Sequence, residues 1–214
     1  MTREQHLKKQ ICEVGRRMFA SGFVAANDGN ITCRLGKDRF LCTPTLVSKG
    51  YMKPADIAVV DGEGRQIRGA RQRTSEIMLH LEIYHERPEV NAVCHAHPPH
   101  ATAFAAAGVT PPSNILTEVE MSLGAVPLAR YETPGTREFA RSVVPHLRNK
   151  ANTILLANHG AVSFAKSLEQ AYFHLETLDM YCRIVLLASH IGGAKPIPAD
   201  KVIELRAIKK RLGL

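Results

Sequence analysis

The spacing of apolar residues predicts six helices along the chain. Near the N-terminus, apolar positions recur at intervals of three and four residues, and this helix should end near Ser21-Gly22. The later helices are expected from about Ser75 to before Pro88, over residues 100–107 and 136–147, from a Ser167–Gln170 capping box to about His190, and from Pro198 to Arg211.

Short apolar runs bounded by Gly, Pro, Asn or Asp predict strands between these helices. The run at 161–164 is expected to continue the strand at 153–157 past Asn158-His159-Gly160. The mixed order of strands and helices, without an internal repeat or a linker, favours one α/β or α+β domain over residues 1–214. The other strands are expected at 31–34, 39–43, 57–60, 65–69 and 90–97.

The composition is close to the globular average. Of 214 residues, 45% are hydrophobic and 22% charged, and no apolar stretch approaches the roughly 18–20 residues of a membrane span. The first ten residues are polar, and no secretory signal is visible. Five scattered cysteines without a CxxC pair are typical of a reduced protein. We therefore expect a cytoplasmic protein with no membrane partner.

The net charge of +8 raises the question of an anionic partner. Residues 1–107 carry 15 basic and 11 acidic side chains, and residues 108–214 carry 13 and 9, so the excess is spread evenly. The sequence has no basic block and no nucleic-acid-binding motif. A solvated basic surface therefore explains the charge better than a nucleic-acid partner does, and phosphorylated small molecules stay compatible with it.

Three histidines are candidate metal ligands. His95 and His97 occupy alternate positions of one expected strand, so both side chains share a face and can reach one Zn²⁺ at about 2.0–2.1 Å. His159 ends another apolar strand, and adjacent strand ends would complete a His₃ set with an open coordination position. The alternative is that all three are structural histidines at strand ends.

Glu76 lies in the first turn of the helix that begins near Ser75. One explanation of its position is that the helix dipole stabilises a carboxylate there. The hydroxyls of Thr74 and Ser75 could bind an anion, since a helix N-terminus offers free N–H groups. Ordinary N-capping would account for only one of these two hydroxyls.

Seven short motifs follow one another along essentially the whole chain. They are Asp28-Gly29-Asn30-Ile31-Thr32, Thr43-Pro44-Thr45, Thr74-Ser75-Glu76, Arg87-Pro88, Ala92-Val93-Cys94-His95-Ala96-His97, Tyr131-x-x-Pro134-Gly135-Thr136 and Asn158-His159-Gly160. In this order and spacing, the sequence resembles the class II aldolase/adducin-head family, and its length is closest to the fuculose-phosphate aldolase type.

The resemblance implies an α/β (α+β) three-layer sandwich, in which helices flank a mainly antiparallel central sheet. It also implies a C4 homotetramer with active sites at the subunit interfaces. The implied activity is that of a zinc-dependent aldolase. Such an enzyme reversibly cleaves a ketose 1-phosphate to dihydroxyacetone phosphate and an aldehyde through a metal-stabilised enediolate.

The resemblance also assigns roles to individual residues. His95, His97 and His159 would bind zinc, although such a set also accepts other divalent transition metals. Glu76 would be a fourth ligand that becomes the catalytic acid/base when the substrate displaces it. The phosphate-binding positions would be Asn30, Thr45, Thr74 and Ser75.

Three departures from the family pattern concern the substrate pocket. Leu46 replaces the glycine that commonly follows the Thr-Pro-Thr triplet, and Ser48 and Lys49 are candidate substitutes. The C-terminus lacks the tyrosine that helps to protonate the departing aldehyde. Where that enzyme type has another tyrosine, this chain has Glu118 and Glu120, either of which is a candidate acid or an ordinary surface carboxylate.

Other activities remain open on the same residues. A sugar-phosphate 4-epimerase, or a relative that decarboxylates or dehydrates its substrate, would use the same metal site. A non-catalytic adducin-head-like interaction module would have lost the metal ligands, whereas this sequence has all three histidines and Glu76.

Overall fold

The computed structural model of the protein describes residues 1–149 and 151–213. Its helices are α1 (Arg3–Ala20), α2 (Ile77–Glu86), α3 (Pro99–Ala107), α4 (Thr117–Ser122), α5 (Arg137–Arg141), α6 (Val144–Arg148), α7 (Leu168–Ser189) and α8 (Ala199–Leu212). Its strands are β1 (Asn30–Gly36), β2 (Arg39–Cys42), β3 (Ala58–Val60), β4 (Gln66–Arg68), β5 (Ala92–Ala96), β6 (Leu128–Ala129), β7 (Thr153–Leu156) and β8 (Gly160–Ala165).

These strands form one sheet in the order β4-β3-β2-β1-β5-β8-β7-β6. Neighbouring strands are antiparallel, except that β6 and β7 run parallel. In the register of the sheet, His95 on β5 stands beside Asn30 on β1 and beside Val162 on β8. The centre of the sheet therefore joins three segments that are far apart in sequence.

Helices cover both faces of the sheet. Because successive strand residues point to opposite faces, Cys94 packs in the core formed with α1, α3, α4 and α7, whereas Val93 packs in the core formed with α2, α5 and α6. The expected three-layer arrangement around a mainly antiparallel sheet is confirmed. Among the described helices, none combines the length and apolar character needed to cross a membrane.

The expected continuous strand through residues 153–164 is wrong. The chain reverses between β7 and β8, which pair antiparallel from Thr153↔Ser163 to Leu156↔Gly160. Asn158 closes the turn in the left-handed backbone region (φ 55°), which Asn adopts more readily than most residues. The reversal places His159 in a tight turn instead of in mid-strand.

The expected helix over residues 136–147 is also wrong, because the structure has two short helices, α5 and α6, in its place. Pro145 lacks the N–H that a continuous helix would direct to the carbonyl of Arg141. At the break, Ser142 Oγ donates to the carbonyl of Phe139 at 2.7 Å.

Asp179 on α7 holds the N-terminus of α3. Its Oδ1 accepts the backbone N–H groups of His100 (2.8 Å) and Ala101 (3.1 Å), and its Oδ2 lies 2.9 Å from His100 Nδ1. A carboxylate at a helix N-terminus satisfies free donors and is favoured by the helix dipole. These contacts fix the path of the chain immediately after His97.

Candidate metal centre and active site

The three candidate metal ligands come together where β5 ends and the β7–β8 turn begins. His95 lies on β5, His97 directly follows that strand, and His159 lies in the turn that leads into β8. Gly160 allows the close approach of the two segments. A Cβ at this position would collide with the carbonyl oxygen of Ala96 and come within 2.6 Å of His97 Cδ2. The Asn-His-Gly motif therefore needs its glycine for packing against β5.

The geometry of the three imidazoles fits one metal ion. One ring nitrogen from each histidine lies within 4.8 Å of the other two, and the Nε2 atoms of His95 and His97 are 3.3 Å apart. Nitrogens bound tetrahedrally at about 2.0–2.1 Å would lie roughly 3.3 Å from one another. His159 Nε2 is buried and makes no hydrogen bond of acceptable geometry with the described residues, so this nitrogen is available to coordinate a metal.

Polar contacts on the far side of two rings, one of them a hydrogen bond, favour coordination through Nε2. His95 Nδ1 lies 3.0 Å from the carbonyl of Ala161, which can only accept, so Nδ1 carries the proton and the Nε2 lone pair is free. His97 Nδ1 faces Asp28 Oδ2 at 3.5 Å. Burial also lowers the pKa of both rings, which favours the neutral form that binds metals.

Glu76 stands directly before α2 and faces the imidazoles. Its Oε2 lies 3.3 Å from His95 Nε2, and its Oε1 lies 3.2 Å from His159 Nε2. Asn30 Nδ2 donates to Oε2 at 2.9 Å. Burial by itself would raise the pKa of Glu76, but the nearby His95 and His159 and the Asn30 hydrogen bond lower it overall. The carboxylate is therefore ionised and within reach of the ligand nitrogens.

The four expected phosphate-binding residues line one pocket of about 160 Å³ together with Glu76 and the three histidines. The backbone brings them there, because Thr74 N donates to the carbonyl of Thr43 at 3.0 Å and Pro44 bridges to Arg73. The residues are Asn30, Thr45, Thr74 and Ser75. Their hydroxyl and amide groups lie beside the N-terminus of α2, which favours an anion.

Lys49 is the basic residue of this pocket. It is only 1% exposed, and its Nζ donates to the carbonyls of Asn27 (2.8 Å) and Val47 (2.7 Å), which belong to the two loops that frame the pocket. Within the described ranges no carboxylate forms an ion pair with it. Burial lowers the pKa of Lys49 to about 8, although Asp28 and Cys42 act in the opposite direction. Two of the three N–H donors of its ammonium are used by these carbonyls.

The remaining candidate residues lie outside the pocket. Leu46 takes a left-handed conformation (φ 55°), which suits the glycine that the family commonly has there, and its side chain is 79% exposed. Glu118 lines a separate cavity beside α7. Glu120 is buried, accepts from Asn114 N at 3.0 Å and lies 3.6 Å from Arg206. The candidacy of Glu118 and Glu120 as acids therefore stays a prediction.

Two features of the site are not evident from the sequence. The burial of Lys49 cannot be anticipated for a lysine in a loop of hydroxyl residues. His80 is buried on α2 and its ring contacts Asn30. The sequence feature that could have indicated this role is the four-residue spacing between Glu76 and His80.

The chain matches the family model described as Class II Aldolase and Adducin N-terminal domain over residues 9–186. The chain belongs to this family. The match includes the histidines, Glu76 and every residue of the pocket, so the predicted resemblance is confirmed.

The alignments with named relatives cover nearly the whole chain. A 3-oxo-tetronate 4-phosphate decarboxylase from Cupriavidus necator is 32% identical over 213 residues, covering 96% of this chain and 97% of the relative. An L-fuculose phosphate aldolase from Escherichia coli is 29% identical over 197 residues, covering 92% and 90%. A solved structure of L-fuculose 1-phosphate aldolase superposes with a TM-score of 0.87 at 25% identity, covering 97% of this chain and 96% of that one.

We expect the purified protein to bind about one divalent metal ion per chain. His95→Ala or His159→Ala should abolish stoichiometric binding, because two imidazoles hold such an ion far more weakly than three. Metal analysis after dialysis checks this, with the exposed His190→Ala on the C-terminal side of α7 as the matched control. Equal metal content in all four proteins would contradict the assignment.

Proposed function

We propose that the protein is a metal-dependent lyase that cleaves a carbon–carbon bond of a phosphorylated ketose, in the manner of a class II aldolase. The observation that carries this proposal is the position of Glu76. Its ionised carboxylate touches two of three clustered imidazoles at one wall of a pocket whose other wall is built for an anion. A metal site, a proton-transferring group and a phosphate site in one small pocket are what this cleavage requires.

The anion wall would hold the non-reacting end of the substrate. The hydroxyls of Thr45, Thr74 and Ser75 and the amide of Asn30 can donate to phosphate oxygens, and Lys49 adds a positive charge. Binding the phosphate there would place the adjacent carbon atoms against the histidines. The energy of this remote contact serves to position the reacting bond.

Glu76 would move the proton. When the bond between C3 and C4 breaks, the C4 hydroxyl gives up its proton and the electron pair stays on C3, next to the C2 carbonyl. Glu76, once it has taken up a proton from solvent, delivers that proton to C3. In the condensation direction Glu76 removes the same proton. A divalent metal held by the three imidazoles, for which we propose zinc, would supply positive charge that stabilises the negative charge developing on substrate oxygens. The C4 hydroxyl proton passes to a second group, for which Glu118 of a neighbouring copy is the candidate, because Glu120 is buried and accepts from Asn114 N within its own chain.

A second candidate reaction is decarboxylation of a phosphorylated 3-oxo acid. The 32% identity to a 3-oxo-tetronate 4-phosphate decarboxylase over 96% of the chain supports it. Loss of CO₂ leaves an electron pair on the carbon beside the 3-oxo group. Glu76, once it has taken up a proton from solvent, protonates that carbon and completes the reaction. The 4-epimerase reaction uses the same cleavage without releasing the fragments. The retained histidines and Glu76 argue against a non-catalytic interaction module.

We propose that the chain assembles as a homotetramer with its active sites at subunit interfaces. Phe173, Met180 and Leu187 recur every seven residues on α7 and are 42%, 54% and 59% exposed. Met180 also lines a neighbouring cavity of about 680 Å³. Apolar side chains aligned on one helix face are suited to burial against a second copy of this chain.

We also propose that the protein works in the cytoplasm. Its five cysteines, which include Cys12 and Cys182, are free thiols and are all buried. A reducing compartment keeps thiols in this state.

The reaction is tested by incubating the metal-loaded protein with ketose 1-phosphates and with phosphorylated 3-oxo acids, and by measuring aldehyde and CO₂ release. We expect aldehyde from a ketose 1-phosphate, and CO₂ would instead establish the decarboxylase. Glu76→Gln should retain the fold and lower kcat by about 100-fold or more, because the proton carrier is lost. Glu82→Gln on the same helix is the control. A fully active Glu76→Gln protein would overturn the role of Glu76.

Lys49 makes phosphate binding depend on pH. Its ammonium is charged below a pKa of about 8 and neutral above it, so the affinity for the phosphate dianion, corrected for the ionisation of phosphate itself, should fall by up to about tenfold between pH 7 and pH 9. Lys49→Met should bind phosphate weakly at both pH values, whereas the exposed Lys53→Met should behave as the wild type. Calorimetric titration at the two pH values measures this, and unchanged binding by Lys49→Met would contradict it.

The homotetramer should dissociate when a charge is placed on the apolar stripe of α7. We expect light scattering to report a tetramer for the wild type and a smaller species for Met180→Lys, because burying an unpaired ammonium is costly. Gln170→Lys, an equal charge change near the start of the same helix, should remain tetrameric. A monomeric wild-type protein would rule the proposal out.

A further inference from the structure

A chain of buried hydrogen bonds leads from Glu76 into the core between α2 and β1. Asn30 Nδ2 donates to Glu76 Oε2 at 2.9 Å, and Asn30 Oδ1 lies 2.5 Å from His80 Nε2. On the other side of the ring, His80 Nδ1 lies 2.9 Å from Thr32 Oγ1, which is itself 2.9 Å from the hydroxyl of Tyr84. We call these five residues the Glu76 chain.

The regular periods of two elements produce this arrangement. Glu76 directly before α2, and His80 and Tyr84 on α2, are spaced by four residues and so lie on one side of this helix. Asn30 and Thr32 are spaced by two residues and share one face of β1. The two rows of polar side chains face each other and alternate along the Glu76 chain.

The direction of every hydrogen bond in the Glu76 chain follows from its first member. The ionised carboxylate of Glu76 only accepts, so Asn30 must present its NH₂ group to Glu76 and its carbonyl oxygen to His80. That oxygen also only accepts, so His80 must carry its proton on Nε2. In the neutral ring Nδ1 then accepts from the Thr32 hydroxyl, whose oxygen in turn accepts from the Tyr84 hydroxyl.

Burial makes these bonds obligatory. Thr32 and His80 are fully buried and Tyr84 is 3% exposed, so any unpaired polar atom there would lose its hydration without compensation. Burial also lowers the pKa of His80 to about 4, in agreement with a neutral ring. One hydrogen-bond pattern therefore satisfies all five side chains.

We propose that His80 is a positioning residue for Glu76, which acts by holding the Asn30 amide in the orientation that donates to the carboxylate. Without a donor at His80 Nε2, the amide could turn its oxygen towards Glu76, and the two acceptors would repel each other. The carboxylate would then leave the position from which it reaches His95 and His159. The catalytic consequence rests on the proposed function, whereas the orientation itself does not.

The Glu76 chain also limits what Asn30 can offer a substrate. Its carbonyl oxygen is taken by His80 and one N–H by Glu76, so a single N–H remains for a phosphate oxygen. Asn30 therefore links the anion wall of the pocket to the carboxylate that moves the proton.

Two substitutions at His80 separate positioning from simple core packing. His80→Gln keeps an N–H donor near the place of Nε2, whereas His80→Leu fills the space without one. We expect zinc affinity to fall by about 10- to 100-fold in His80→Leu and by less than about threefold in His80→Gln. If the proposed function is correct, kcat should follow the same order at nearly constant KM. Equal zinc affinity for wild type and folded His80→Leu would overturn the proposal.

The tautomer of His80 provides a test that needs neither substrate nor activity. Long-range ¹H–¹⁵N spectra of the zinc-loaded protein at neutral pH should contain a ring with protonated Nε2 and unprotonated Nδ1 that is missing in His80→Gln, which assigns this signal to His80. A ring protonated on Nδ1 would overturn the inferred direction. Detection of the expected tautomer and the expected zinc affinities without any turnover would leave the inference intact and refute only the proposed function.

Discussion

The close packing of the β7–β8 turn against the end of β5 is the constraint on which the site depends. Only a residue without a side chain fits between the Ala96 carbonyl and the His97 ring, and Gly160 fills that position. This contact brings His159 to His95 on β5 and to His97, which directly follows that strand. The antiparallel pairing of β5 with β8 holds the two segments in register, so the central sheet fixes the relative positions of the three imidazoles.

The residues of the site come from three kinds of structure: the central sheet with its turn, the start of a helix, and loops. The histidines belong to the sheet and its turn, which fixes the distances between their nitrogens. Glu76 stands at the start of a helix, where its carboxylate can approach the imidazoles. The anion wall consists of loops that Lys49 ties together through two carbonyl groups. A rigid ligand set beside a loop-built pocket suits a fold whose members act on different phosphorylated substrates.

Buried polar groups connect these parts. Asn30 lies at the start of β1, opposite His95 in the sheet, and contacts both Glu76 and His80. Such networks define one arrangement because each member has a single way to satisfy its neighbours. The core between α2 and β1 therefore supports the orientation of a group in the active site as well as the stability of the fold.

Local sequence determined much of this protein. Short-range periodicity, which is set by backbone geometry, accounts for the alternate positions of His95 and His97 and for the placement of Glu76 at a helix start. The order of the motifs is likewise read directly from the sequence. Leu46 marks a position whose left-handed backbone favours glycine, and this too is a local property. The sequence could therefore indicate the family and the residues that line the pocket, whereas the metal-ligand set stays a prediction.

Only the tertiary structure decided how distant segments meet. Packing between segments that are far apart in the chain, or competition between local preferences, decided four features. They are the reversal at Asn158, the break before Pro145, the burial of Lys49 and the pairing of His80 with Asn30. An apolar run looks the same whether it continues as one strand or folds back as two. Which outcome occurs depends on the surfaces it buries, and those surfaces exist only once the sheet has formed.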